Sequence, residues 1–233
     1  MIPKIVHYVW VGGNKKPRQV RGCIKTWKKH LKGYRFIEWN ESNFDMHQNK
    51  YLEEAYKAKK WAFVSDYIRA KVIYEYGGIY FDTDNIILEN LDSLLNDKAF
   101  VGFENPKYAF TAVFGAEAHH PFLKDMLSYY DKNNFSYDKN NQFVGINTSW
   151  VSDLLEEKYG VLLNNKEQHL KTGIHVYPDN ILCVPSSKSK AIHIFAGSWL
   201  EGKNLKRKIF TTLKGKIRTQ KEAELFIKIF GHG

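Results

Sequence analysis

Asp82 and Asp84 stand one residue apart at the end of the apolar run Gly77-Gly-Ile-Tyr-Phe-Asp-Thr-Asp-Asn85. If the strand continues through them, alternation puts Tyr80, Asp82 and Asp84 on one face, where the two carboxylates repel unless something balances them. Acids so placed suit a hard divalent cation that keeps open positions for water and phosphate oxygens. The competing explanation is a plain turn after a strand, since Asp and Asn both favour turns.

The elements around the acids sharpen the choice. Trp61, Phe63, Val64, Tyr67, Ile68, Val72, Ile73 and Tyr76 recur at spacings of three and four, which predicts one helix over 55–76. Gly77-Gly78 then ends it and turns the chain straight into the strand. Ser65, Asp66 and Arg69 interrupt this apolar helix, with Asp66 and Arg69 three apart on one face. By spacing alone that pair is an ordinary surface ion pair worth at most about 1 kcal/mol.

Three ordered blocks carry a resemblance. Trp61-Ala-Phe-Val-Ser-Asp-Tyr-Ile-Arg-Ala, followed by Tyr74-Glu-Tyr-Gly-Gly-Ile-Tyr-Phe-Asp-Thr-Asp, resembles the signature of the family 32 sugar transferases. The opening Ile2-Pro-Lys-Ile-Val-His-Tyr-Val-Trp-Val-Gly-Gly resembles that family's first strand and loop, and Ala191-Ile-His-Ile-Phe-Ala-Gly-Ser-Trp-Leu its closing block. The family is similar at longer range to the catalytic domains of large glucosylating toxins. The resemblance implies a GT-A-like nucleotide-sugar-binding domain. It implies a retaining glycosyltransferase that moves a hexose to a glycan acceptor, without a covalent intermediate, by a front-face mechanism.

It also implies roles. Asp82 and Asp84 would hold Mn²⁺ or Mg²⁺, with Mn²⁺ favoured and His193 as a third ligand. Asp66 and Arg69 would hold the donor hexose and diphosphate. Trp10 would stack on the nucleobase, and Tyr80 would contact the diphosphate or nucleoside. Asn147 would contact donor or acceptor, while Ser198 and Trp199 belong to a loop over the diphosphate. The implied donor is a UDP-sugar, with GDP-mannose the closest competitor. The implied acceptor is a lipid-linked glycan in surface-polysaccharide assembly. Glu104 and Glu117 are the only nearby candidates for a second carboxylate.

Length and composition set the frame. At 233 residues, 43% of them hydrophobic, the chain can bury one full α/β core. Strands expected at 4–11, 34–39, 99–104, 110–115, 174–177, 181–184 and 191–195 alternate with helices at 17–31, 121–130 and 148–159. That pattern predicts an α/β sandwich with a mixed, mostly parallel sheet and ligands at the strand carboxyl ends. Cys23 and Cys183 are isolated, and no signal peptide or 20-residue apolar span is visible, so a reducing cytoplasm fits.

Of the net charge of +10, residues 203–233 carry +7, with nine Lys and Arg against Glu222 and Glu224. The expected division is a domain over 1–202 and a basic amphipathic helical tail over 203–233. That tail either docks on the domain or lies on an anionic membrane face. A nucleic-acid partner is the reading from another class; no binding module accompanies the charge, and none is expected.

Overall fold

The computed structural model describes residues 1–110, 112–135, 147–196 and 205–231. Nine strands are described: β1 (Ile5–Val9), β2 (Arg35–Trp39), β3 (Gly78–Phe81), β4 (Asn85–Ile87), β5 (Ala99–Gly102), β6 (Val113–Ala116), β7 (Gln168–His169), β8 (Ile174–Tyr177) and β9 (Ala191–His193). The helices are α1 (Arg18–His30), α2 (Lys50–Lys57), α3 (Trp61–Tyr76), α4 (Pro121–Lys132), α5 (Asn147–Tyr159), α6 (Asp179–Leu182), α7 (Leu205–Lys214) and α8 (Gln220–Phe230).

Seven strands form the central sheet in the order β2-β1-β3-β6-β5-β8-β7, and β4 pairs with β9 in a separate ribbon. β2, β1, β3, β5 and β8 run one way, while β6 and β7 run against them. The sheet is therefore mixed and mostly parallel, as the alternating pattern predicts. Both faces are covered, so the strands are apolar on both sides. Tyr80, Val101, Phe114 and Val176 join the core beneath α2–α5. Ile79, Phe81, Phe100 and Val113 join a second core with α1, α6 and α8.

Four local expectations give way. The single helix expected over 55–76 is two, α2 and α3, because Lys59 takes a left-handed conformation (φ +56°). Lys60 N–H then closes the turn on the Ala55 carbonyl at 3.0 Å. The strand expected at 181–184 is instead the one-turn helix α6, opened by Pro178. A four-residue apolar run has too few positions to show a period. The strand expected at 110–115 begins only at Val113, and β4 has no counterpart among the expected elements.

α3 is buried on nearly every side, which suits its lack of a polar face. Its C-terminus feeds β3 through Gly77 (φ +63°) and Gly78 (φ +111°). A Cβ on Gly78 would sit 2.6 Å from the Ile5 carbonyl oxygen and 3.0 Å from His7 Nε2. Only glycine fits that approach.

His7, fully buried in β1, braces the same turn. Trp39 Nε1–H donates to its Nδ1 at 3.0 Å, so Nε2 carries the proton and donates to the Gly77 carbonyl at 2.9 Å. Burial holds this imidazole neutral, its pKa lowered from 6.5 to about 4. Above pH 6.5 neither folded nor unfolded chain takes the proton; between about 6.5 and 4 the unfolded chain takes it and the folded chain resists. Stability should therefore fall across that window by up to about 3 kcal/mol on account of His7. Urea midpoints at pH 7 and pH 5 check this: the drop should shrink in His7→Gln, which can make both hydrogen bonds without titrating, and an equal drop in both proteins would refute it.

Candidate active site

β3 ends at Phe81, so the two acids do not lie on a continuing strand. They lie in a turn, closed by Asn85 N–H donating to the Asp82 carbonyl at 3.1 Å. The fully buried Asn85 side chain locks it, donating from Nδ2 to the carbonyls of Asp82 (3.1 Å) and Ala112 (3.2 Å). Trp27 of α1 adds a hydrogen bond from Nε1 to the Asn85 carbonyl at 2.7 Å. The Asp-Thr-Asp-Asn segment is thus a turn, and the turn, rather than strand alternation, presents both carboxylates together.

Behind it, α3 supplies Asp66 and Arg69 on one face, three residues apart. Arg69 Nη2 bonds Asp66 Oδ1, and Nη1 lies 3.6 Å from Asp82 Oδ1. Both Asp66 and Arg69 are buried, so this is no surface pair. The guanidinium also lies against the rings of Tyr80 and Phe110, 5.7 and 5.6 Å from their centroids. Burial pushes Asp66 up to about 6, Arg69 opposing and Asp82 adding repulsion. Burial likewise raises Asp82 despite Arg69 and His193.

The ribbon delivers the third group. β4 starts directly after Asp84, and its antiparallel register sets Asn85 opposite His193 of β9. Ile194 N–H reaches the Asp84 carbonyl at 3.1 Å, and Ala196 N–H its Oδ2 at 2.8 Å. His193 Nε2 lies 3.2 Å from Asp84 Oδ1. Burial works to raise Asp84, but the His193 charge, its hydrogen bond and the Ala196 amide outweigh it and hold the carboxyl low. Burial would lower His193; Asp84 outweighs it and raises the imidazole well above its ordinary value.

One ligand atom from each of Asp82, Asp84 and His193 lies within 4.8 Å of the others. Two carboxylates and one imidazole fit a divalent cation of the Mn²⁺ or Mg²⁺ kind. Ligation requires the neutral ring, so His193 would give up the proton its ion pair with Asp84 favours.

The remaining sequence candidates separate. Tyr80 is buried, and its hydroxyl bonds Asp82, so it supports the acid from inside. Asn147 opens α5, buried, donating from Nδ2 to Tyr130 Oη at 2.6 Å. Among the described residues its Oδ1 and the Nε of Arg69 have no hydrogen-bond partner. Such orphaned buried polar atoms are what a bound hydroxyl-rich ligand would satisfy. Trp10 follows β1, at the same sheet edge as the acids, half-buried with Nε1–H given to the Asn14 carbonyl at 2.7 Å. Ser198 and Trp199 lie outside the described residues.

Topology decides between the two glutamates. Glu104 follows β5, which runs parallel to β3, so it shares the edge of Asp82; Glu117 follows the reversed β6 and lies at the opposite edge. Burial raises Glu104, with His193, Asp82, Arg69 and Lys214 all acting on it.

Two features escape the motif reading. A cavity of about 650 Å³ lies between the loop after β1 and the start of α3, lined by Gly12, Gly13, Tyr56 and Trp61. Lys214, the last residue of α7, is buried with its Nζ 4.7 Å from the Phe195 ring centroid, and that ring lies tilted against His193 with centroids 4.0 Å apart. Burial lowers this ammonium to about 8, with Cys183, Asp84 and Glu104 opposing. Among the described residues no carboxylate lies within 4.0 Å of it. Only the density of basic residues in the tail hints at it in the sequence.

Arg69 buried between two carboxylates makes a specific energetic demand. Arg69→Met should cost about 3–5 kcal/mol, because it leaves Asp66 and Asp82 uncompensated. Adding Asp66→Asn should return at least about 1 kcal/mol of that, a coupling that urea denaturation of the four proteins measures. Strict additivity would mean the pair does not interact.

Residues 17–101 match the family model described as the glycosyltransferase sugar-binding region containing a DXD motif. The chain is 29% identical over 170 residues to inositol phosphoceramide mannosyltransferase 2 of Schizosaccharomyces pombe, covering 71% of this chain and 49% of that protein. It is 28% identical over 140 residues to the mannosyl phosphorylinositol ceramide synthase CSH1 of Saccharomyces cerevisiae, covering 57% and 37%. The chain thus spans about half the length of these relatives or less. Among solved structures, the PaToxG glycosyltransferase superposes with a TM-score of 0.50 at 18% identity, over 67% of this chain and 70% of that one, which shows the shared fold. Residues 17–101 therefore match a glycosyltransferase sugar-binding region of the DXD type, and the chain is similar over that region and beyond it to glycosyltransferases.

Proposed function

We propose that the chain is a divalent-metal-dependent, retaining glycosyltransferase that moves a hexose from a nucleotide diphosphate sugar to a lipid-linked glycan acceptor. The observation that carries this is the convergence of Asp66, Arg69, Asp82, Asp84 and His193 at the carboxyl edge of β3, where strand order turns around β1. The cavity between Gly12, Tyr56 and Trp61 takes the nucleoside, and Trp10 is tied to its lining through the hydrogen bond to the Asn14 carbonyl. Asp66, Arg69 and Asn147 offer a carboxylate, a guanidinium and an amide to the hexose hydroxyls and diphosphate.

Asp82, Asp84 and His193 would hold the cation, which when bound would supply Lewis-acid stabilisation of charge on the departing diphosphate. Lys214 places a second positive charge at that edge, in a buried setting where charge acts strongly. In our reading transfer takes the front-face course, in which the donor's own phosphate oxygen takes the acceptor proton, and Glu104, at the edge shared with Asp82, does not act as a nucleophile.

The resemblance favours UDP-hexose, while the two fungal relatives are named for mannose transfer, which favours GDP-mannose. The side chains gathered here address metal, diphosphate and hexose, so a donor panel decides. Nucleotide release with Mn²⁺ should appear for one donor and fall at least about 100-fold in Asp84→Asn. Lys214→Met should lower kcat/KM about 10-fold without changing the Mn²⁺ requirement. Release from no donor, with no Mn²⁺-dependent nucleotide binding, would sink the assignment.

The acceptor's lipid character finds support in α7 and α8. Of the eight large apolar side chains exposed among the described residues, five lie on these two helices: Leu205, Ile209, Leu225, Ile229 and Phe230. Each helix packs one stripe inward, through Phe210 and Phe226, and turns a second outward at spacing four among Lys206, Lys208, Lys221 and Lys228. That pairing of apolar and basic groups suits the headgroup region of an anionic membrane, at the inner face of the cell membrane in our reading. No described helix is long and apolar enough to cross one. Cosedimentation with anionic vesicles should fall at least 10-fold in the Ile209→Glu, Ile229→Glu double variant, and undiminished binding would remove the membrane from the proposal.

A further inference from the structure

At the far edge of the sheet, a second cluster of metal-ligating side chains lies outside the transferase site. The hairpin of β7 and β8 sets His169 directly opposite His175 in register, so both side chains leave the same face. Their rings stand 3.8 Å apart between centroids. Glu167, two residues before His169, alternates onto that face as well. Its Oε1 lies 2.8 Å from His175 Nε2. One ligand atom from each of the three lies within 4.8 Å of the others.

The surroundings complete the arrangement. Asp97 Oδ2 lies 3.1 Å from His175 Nδ1 and accepts a hydrogen bond from Tyr177 Oη at 3.2 Å. A carboxylate on the far nitrogen of an imidazole fixes the ring's orientation and raises its basicity as a ligand. His169, His175 and Asp97 also line a cavity of about 220 Å³, with room for a water in a fourth position. The donor set is two imidazoles and one carboxylate, softer than the two carboxylates and one imidazole at Asp84.

We propose that Glu167, His169 and His175 bind a borderline divalent cation of the Zn²⁺ class, with Asp97 orienting His175. With Nδ1 turned to Asp97, Nε2 of His175 is left facing Glu167 and is the nitrogen the cation would take. Four strand spacings from β3 to β7 put the site roughly 19 Å from the transferase acids across the sheet. It therefore acts as a clasp on a two-residue edge strand rather than in the chemistry.

The test uses the untagged full chain carrying Asp84→Asn, which removes a ligand from the other site. Titration calorimetry with Zn²⁺ should show one equivalent bound. Co²⁺ should give the visible absorption of a tetrahedral, nitrogen-ligated ion. His169→Ala, at an exposed position, should weaken Zn²⁺ at least 10-fold while leaving the metal-free urea midpoint unchanged, and Asp97→Asn should weaken it 10- to 100-fold. Absence of Zn²⁺ binding in the Asp84→Asn protein, or an affinity indifferent to His169→Ala, would overturn the proposal.

Discussion

Three carboxylates, Asp66, Asp82 and Asp84, crowd one edge of a sheet whose interior is otherwise apolar, and the arrangement of the chain around them follows from the need to balance that charge. Each counterion comes from a different element. Arg69 reaches back from α3, His193 arrives on the ribbon from the end of the domain, and Lys214 enters from α7. A buried charge without its partner is worth several kcal/mol of instability. The charge set thus ties three distant stretches of chain to one turn.

The turn stays rigid because its own polar atoms are spoken for. Asn85, Trp27 and the Ala112 carbonyl fix the backbone of Asp82–Asn85, and Gly77-Gly78 braced by His7 fixes how β3 enters it. The carboxylates are in turn held by groups from other elements, Asp84 by the Ala196 amide and His193 and Asp82 by Arg69. That is the preorganisation a phosphate-leaving reaction needs, since donors and charges already in place cost no rearrangement when the bond breaks.

How much of this could be read from the chain divides along sequence distance. Asp82 and Asp84 were legible as a pair from their spacing, although a turn rather than strand alternation brings them together, whereas Asp66 and Arg69 read by spacing as a surface pair and were singled out only through the resemblance. Two local details were not: the break at Lys59, where a basic residue takes a glycine-like φ, and α6, whose apolar run has no period. His193 was legible only through resemblance. Its approach to Asp84 depends on β4 pairing β9 across more than a hundred residues, and a three-residue strand gives almost no local signal. Glu104 and Glu117 could not be told apart without strand direction, because both simply follow strands.

Lys214 shows the limit most clearly, and also what the tail does. As one of nine basic residues it is indistinguishable in the sequence, and composition assigns the whole set to solvent or membrane. Packing divides them instead. Phe210, Phe226 and Ile217 anchor the two helices on the core that holds Trp27 and Ile86, and that anchoring turns Lys214 inward while Lys206 and Lys208 stay outside. Burial of the ammonium is unfavourable by itself, as its lowered pKa records. A chain keeps such a lysine where anionic neighbours return part of that cost, and here the neighbours are Asp84 and Glu104, joined in the function we propose by the donor's diphosphate. The helix that would meet a membrane is thereby the same helix that completes the charge balance of the site.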